Sequence, residues 1–178
     1  MISVGLIVAR EHLFPDNWVY VHSPAVKVGR IQNYKNWSRG MVPQPGASSL
    51  GMEYFCDVDD ELWRLADRQL LDLARREIAT LGLAAAEDVV DGMVIRQPMA
   101  YPVYDAGHPQ NLATIRAYLA ELENLQTVGR NGMHRYNNMD HSMLTGLLAV
   151  AKLHGEEHDL WEVNCEQDYY EEYSAAKS

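Results

Sequence analysis

Four short runs of β-branched and aromatic residues crowd the stretch from Ser3 to Cys56, and each is closed within a few residues by turn chemistry. Residues 3–9 form the first run, and Leu13-Phe14-Pro15-Asp16-Asn17 supplies the turn after it. Trp18-Val19-Tyr20-Val21-His22 follows and ends at Ser23-Pro24. Residues 26–34 make the third run, and residues 49–56 the fourth, beyond a loop holding Pro43, Pro45 and Gly46. Runs this short, rich in Val, Ile, Tyr and Trp, pair most simply as an antiparallel sheet. Trp18, Trp37 and Trp63 are expected to pack in the core or between lobes.

The middle of the chain changes period. Leu62, Ala66, Leu70, Leu73, Ala74 and Ile78 recur at helical spacing, with Asp59 or Asp60 as the cap and Gly82 as the stop. Residues 89–99 return to an extended pattern, and a second helix starts near Pro109 with Leu112, Ile115, Leu119 and Leu122 on one face. Residues 125–128 read as a short buried strand, and residues 139–153 as a helix capped by Asn138 or Asp140 with Gly155 past its end. The fold class is therefore α+β: a mostly antiparallel sheet with flanking helices, then a terminal strand–loop–helix. Three parts are expected: an α+β region at 1–124, the strand–loop–helix at 125–164, and an acidic, solvated tail at 165–178.

Composition narrows the function classes. With 47% hydrophobic and 22% charged residues the chain is ordinary for a globular protein. A formal net charge of −10 disfavours non-specific binding to nucleic acid or to an anionic membrane. Cys56 and Cys165 lie far apart and form no CxxC pair, so no disulfide framework is expected. The apolar opening run ends at Arg10 and Glu11, too short for a signal peptide or a span. A cytoplasmic location is the expectation.

Between the expected strand and the last helix runs Gly129-Arg130-Asn131-Gly132-Met133-His134-Arg135-Tyr136-Asn137-Asn138. A strand, a glycine-containing loop and a helix start together aim backbone N–H groups at one point, which suits an anion or an electron-rich carbonyl. Gly129 and Gly132 permit close approach, Arg130 and Arg135 bring two of only 15 basic residues, and Tyr136 offers a ring. The same residues also suit a tight turn whose arginines pair with surface carboxylates.

The stretch from Gly129 to Asp140 resembles the carboxy-terminal FAD-contacting segment of UDP-galactopyranose mutase-like flavoproteins. That segment runs Gly-Arg, four residues, Arg or Lys, Tyr, any residue, Asp or Asn, then Met. Ala100-Tyr101-Pro102-Val103-Tyr104-Asp105-Ala106-Gly107-His108 is similar to a pattern of protoporphyrinogen oxidase and amine oxidase relatives. Lys27–Tyr34 and Gly51–Phe55 resemble the substrate-domain sheet of the same NAD(P)/FAD-dependent superfamily. The resemblance implies the substrate-binding and flavin-contacting part of an FAD-dependent oxidoreductase. It makes Gly129, Arg130, Gly132, Arg135, Tyr136, Asn138, Met139 and Asp140 the candidate FAD contacts and puts Tyr101 and Tyr104 on the substrate side. It identifies no catalytic base, because the flavin carries much of the chemistry.

One departure stands against the match. Such flavoproteins open with a G-x-G-x-x-G turn that holds the ADP part of FAD, and this sequence has none. The expectation is a fragment, a split subunit or a surviving domain, with FAD weak or absent in this chain alone and activity requiring the missing amino-terminal lobe. A cofactor-free binding or assembly module, and part of a mutase-like isomerase, stay open beside it. Met143, Leu144, Leu147, Leu148 and Val150 leave the last helix apolar almost all round, so a partner chain or self-association is expected.

Other groupings read more plainly. His154, His158 and Cys165 have a zinc-like spacing, but surface histidines are the simpler account and no metal is expected. His134 and His141 flank the candidate loop and suit capping or packing as well as ligand contact. Glu53 reads as a solvent-facing carboxylate on an alternating strand, with a buried carboxyl as the other reading. No Ser-His-Asp or Cys-His arrangement can be read from spacing.

Overall fold

The computed structural model describes residues 1–164; the Cys165 thiol and the acidic tail expected at 165–178 lie outside the described residues. The chain divides into two compact units, Met1–Tyr101 and Pro102–Ser178. The class is α+β, as expected from the sequence.

The first unit is built on strands β1 (Ile2–Val8), β2 (Trp18–Tyr20), β3 (Arg30–Asn33), β4 (Ser48–Tyr54) and β5 (Val89–Arg96). They form one antiparallel sheet in the order β2-β3-β4-β1-β5. β1 lies between β4 and β5, and strict alternation sets its core face: Ile2, Val4, Leu6 and Val8 are all at most 1% exposed, while the residues between them face the other side. Registered against them are Tyr54, Met52 and Leu50 of β4, with Ile31 of β3 one strand further. Leu70, Ala74 and Ile78 of helix α3 (Asp67–Thr80) complete this core.

The helix expected to run on from Asp59 or Asp60 is broken. A short turn α2 (Glu61–Arg64) and α3 are separated by extended backbone at Leu65 and Ala66, and Ala66 is exposed rather than in the core. Arg96, at the end of β5, donates to the carbonyls of Trp63 and Leu65 and pairs with Asp67 at 2.6 Å. Carbonyls held by a guanidinium are withdrawn from the helical ladder, and Gln69 restarts it by accepting from the Ala66 N–H at 2.9 Å.

Two further expectations are corrected. The run at 26–34 is strand only from Arg30 to Asn33 and enters helix α1 (Tyr34–Trp37) directly. Its first residues fold back as a loop because buried Glu77 of α3 accepts from the amides of Lys27 at 2.7 Å and Val28 at 3.1 Å. Trp18 and Trp37 are not core residues; they are 39% and 50% exposed, whereas Trp63 packs partly buried against the core.

The second unit holds helices α4 (His108–Leu119), α5 (Gly129–Gly132) and α6 (Met139–Leu153), and a three-ten turn at Leu160–Glu162. Pro109 sits in the first turn of α4, and α6 keeps the bounds read from the sequence. Residues 125–128 do not form a strand. Val128 is extended, but this unit has no strand among its described residues for residues 125–128 to pair with, and Leu125 and Val128 are 45% and 39% exposed. No helix among the described residues is long and apolar enough to cross a membrane.

Candidate functional site

The loop singled out in the sequence folds as α5 followed by a turn into α6. Gly129 begins it with φ +75°, a left-handed conformation that glycine adopts without steric cost. Its N–H donates to Oγ1 of Thr145 on α6 at 3.0 Å, and the same hydroxyl donates to the Ser142 carbonyl at 2.9 Å. Thr145, fully buried, is thus the post that fixes where the loop starts.

The two arginines divide. The Arg130 guanidinium lies over the Tyr136 ring, 4.1 Å from its centroid, a cation–π contact that keeps a flat, charged surface beside the loop. Arg135 instead donates to the backbone carbonyls of Trp161 and Asn164. Asn164 returns a hydrogen bond to the Tyr136 carbonyl at 2.7 Å, so the loop and the residues after α6 are stitched together. Met133 and Asn137 point inward, 0% and 2% exposed.

At the start of α6, Asn138, Met139 and Asp140 are all exposed. His141 Nδ1 accepts from the Asn138 N–H at 3.2 Å, the part usually played by Glu or Gln three residues into a helix. An accepting Nδ1 puts the proton of the neutral ring on Nε2. His134 takes no such part; it adopts a positive φ of 46°, and its carbonyl accepts from His108 Nε2 at 2.9 Å.

The open face of the sheet in the first unit carries a second group of polar and aromatic side chains. Registry sets Trp18 beside Gln32, Tyr20 beside Arg30, and Arg30 beside Glu53. Arg30 donates through Nε to Glu53 at 2.6 Å and through Nη2 to the Tyr101 hydroxyl at 3.0 Å. Its guanidinium lies 5.8 Å from the Tyr20 ring and 5.9 Å from the Phe55 ring. Burial alone would lower its pKa, but Tyr20, Tyr101 and Glu53 raise it. Glu53 is only 6% exposed, so the reading of it as a solvent-facing carboxylate is overturned. Tyr34 lies across Gly51, where an added Cβ would come 2.3 Å from its hydroxyl. Burial, and then the charge of Glu53, push the Tyr34 phenol up.

Tyr101 belongs to this group, whereas Tyr104 lies in the other unit, edge-on to the His108 ring at 4.6 Å. Cys56 is a free thiol whose pKa is raised, chiefly by burial, so it carries less thiolate than an ordinary cysteine. A cleft of about 490 Å³ in the second unit is lined by Arg116, Leu125, Thr127, Lys152, Asp159 and Trp161, among others, and touches none of the loop residues from Gly129 to Asp140. His154 is exposed, and His158 meets Glu156 at 2.9 Å.

The chain superposes on reduced UDP-galactopyranose mutase with a TM-score of 0.73 over 92% of its length, at 23% identity. It has an amine oxidase-like flavoprotein fold. A protein assigned as protoporphyrinogen oxidase from Exiguobacterium sp. 255-15 matches over 72% of the chain, with a TM-score of 0.54 and 16% identity. The chain spans 36% and 29% of the lengths of these two flavoprotein-fold structures, about a third of each. No family model and no curated protein matches the sequence.

Sequence reading missed Arg30, the Trp18–Trp37 pair and Thr145. Arg30 was legible in principle, because period-two alternation puts it on the same face as Trp18, Tyr20 and Glu53 once the strand pairing is known. Thr145 carried no local signal; its value comes from the loop that folds back onto it.

Proposed function

We propose that this chain is the substrate-binding and flavin-contacting part of an FAD-dependent oxidoreductase of the amine oxidase-like superfamily, working with a nucleotide-binding lobe supplied from elsewhere. The observation that carries this reading is the loop, anchored at Gly129 by Thr145, that leads into α6 with Arg130 stacked on Tyr136.

The residues suit a flavin unevenly. Gly129, Gly132 and the start of α6, where Met139 and Asp140 are exposed, suit close approach by a carbonyl or phosphate oxygen. Arg130 and Tyr136 present a flat surface of the kind a ring lies against. Asp140, a carboxylate with its side chain 64% exposed, suits hydroxyl groups better than a second anion. Asn138 and Met139 would flank it. Arg135, held by two carbonyls of its own chain, would act by keeping the loop in shape. Bound flavin would supply the hydride-accepting or nucleophilic chemistry. Tyr101 and Tyr104 would serve the substrate side.

The uncovered stripe of α6 supports a partner. Met139, Met143, Leu147 and Val150 are 80%, 63%, 69% and 53% exposed, more apolar surface than one isolated helix usually leaves in water. A second lobe or a second copy would cover it. A second reading, a mutase-type isomerase, draws support from the higher TM-score to that enzyme. Offering sugar nucleotides and amines to the completed protein separates the two.

An absorbance spectrum of the purified protein followed by FAD titration tests the proposal. Weak saturable binding, lost on Arg130→Ala and strengthened by a chain carrying the G-x-G-x-x-G lobe, is the expected result. A protein that ignores FAD even with such a chain present would leave the cofactor-free binding module as the better reading.

A further inference from the structure

Half of this protein's tryptophans stand on one open surface. Trp18 on β2 and Trp37 on α1 stack with ring centroids 5.5 Å apart and planes 7° from parallel, yet both remain well exposed. Beside them on the same face, Tyr20, Phe55 and Tyr101 are 48%, 52% and 41% exposed. Five large rings left in water in one neighbourhood cost free energy that a ligand covering them would recover.

The charge of this face decides what kind of ligand. Arg30 lies amid the rings, but Glu53 neutralises it at 2.6 Å and Tyr101 takes another of its donors. Lys35 is also committed, donating to the carbonyls of Glu11 at 2.7 Å and Ala47 at 2.8 Å. A phosphate or carboxylate here would have to compete with Glu53 for Arg30, close to a buried negative charge. An uncharged ring meets no such penalty. It can extend the Trp18–Trp37 stack and set an oxygen at its edge against a tyrosine hydroxyl or the Gln32 amide.

We propose that the aromatic face formed by Trp18, Trp37, Tyr20 and the Arg30–Glu53 pair binds an uncharged aromatic ring bearing a hydrogen-bonding oxygen, and that it disfavours anionic ligands such as sugar nucleotides. This rests on the reading of the first unit as the substrate-binding part, and it names the substrate class of that unit.

Calorimetric titration tests the assignment with three probes: 2-naphthol, 2-naphthalenesulfonate and cellotetraose. About 0.15 M salt keeps the long-range field of the −10 chain largely screened. The expected order is naphthol first, with the sulfonate, which has the same ring and a negative charge, at least about tenfold weaker and the glycan weaker still. Trp37→Ala should lose about tenfold in naphthol affinity, while Trp37→Tyr, which keeps a ring, should stay within about threefold. Glu53→Gln, nearly isosteric, should free the charge of Arg30 and narrow or reverse the preference against the sulfonate.

Sulfonate or glycan binding as tight as naphthol would overturn the proposal, as would naphthol binding that ignores Trp37→Ala or is absent altogether. No flavin enters the assay. A protein that binds naphthol but never FAD would keep this inference and lose the flavin reading; the reverse pattern would do the opposite.

Discussion

Arg30 and Glu53 face each other across β3 and β4, with one carboxylate oxygen 2.6 Å from both Nε and Nη2 of the guanidinium. Their side chains are only 16% and 9% exposed, so neither charge is solvated well without the other. The pair also holds Tyr101 and, through Glu53, lies within 3.4 Å of the Gln32 amide.

Removing one partner should therefore cost more than removing both. Arg30→Ala leaves a buried carboxylate uncompensated and is expected to cost about 3 kcal/mol in urea unfolding, whereas Arg30→Met combined with Glu53→Leu should cost clearly less. Equal losses would mean that the pair is solvated after all.

Alkaline conditions should weaken the first unit through Tyr54. Its phenol is pushed well above the ordinary tyrosine range, first by burial and then by the charge of Glu77. A raised folded-state pKa means that its contribution is fully present below the unfolded value near 10 and is lost as pH rises beyond it. Urea stability measured at pH 8 and pH 11 should fall more steeply for the parent protein than for Tyr54→Phe; identical slopes would remove Tyr54 from the account.

The two loop arginines should behave differently. Arg135→Ala deletes the donor to the Trp161 and Asn164 carbonyls and is expected to cost about 2 kcal/mol. Arg130→Ala, which removes the cation–π contact with Tyr136, should cost less than Arg135→Ala in thermal unfolding and show its main effect in FAD titration. Calorimetric melting of both variants checks the contrast, and a reversed order would make Arg130 the structural member.

Gly129→Ala isolates backbone strain from crowding. An added Cβ would meet Ser142 no closer than 3.8 Å, an ordinary contact, but φ +75° disfavours any L side chain. A loss of about 1 kcal/mol is expected, with the Thr145 hydrogen bond kept. A neutral result in equilibrium unfolding would mean that the loop relaxes to another conformation.

The apolar stripe of α6 should drive association. Leu147→Lys, at a position 69% exposed, is expected to lower the mass seen by light scattering at micromolar concentration without lowering helicity. A parent protein that is already monomeric there would put the cover for this helix elsewhere.

What the sequence by itself determined was local. Alternation in residues 2–8 follows directly from a two-sided sheet, and α6 took its bounds from Asn138 and Gly155 because capping and chain reversal are short-range events. The loop of Gly129 to Asp140 was legible for the same reason: glycine, arginine and a helix start are adjacent in the chain. Tertiary structure decided the rest. Whether residues 125–128 become a strand depends on a neighbouring strand, and this unit offers none among its described residues. The break at Ala66 depends on Arg96, thirty positions later, claiming two carbonyls. Arg135 became a structural clamp because the residues after α6 fold back to it, and Glu53 became half of a buried pair only once strand register put Arg30 opposite. Hydrogen bonds and ion pairs between distant segments form only where folding brings the groups together, and no periodicity in the chain announces them.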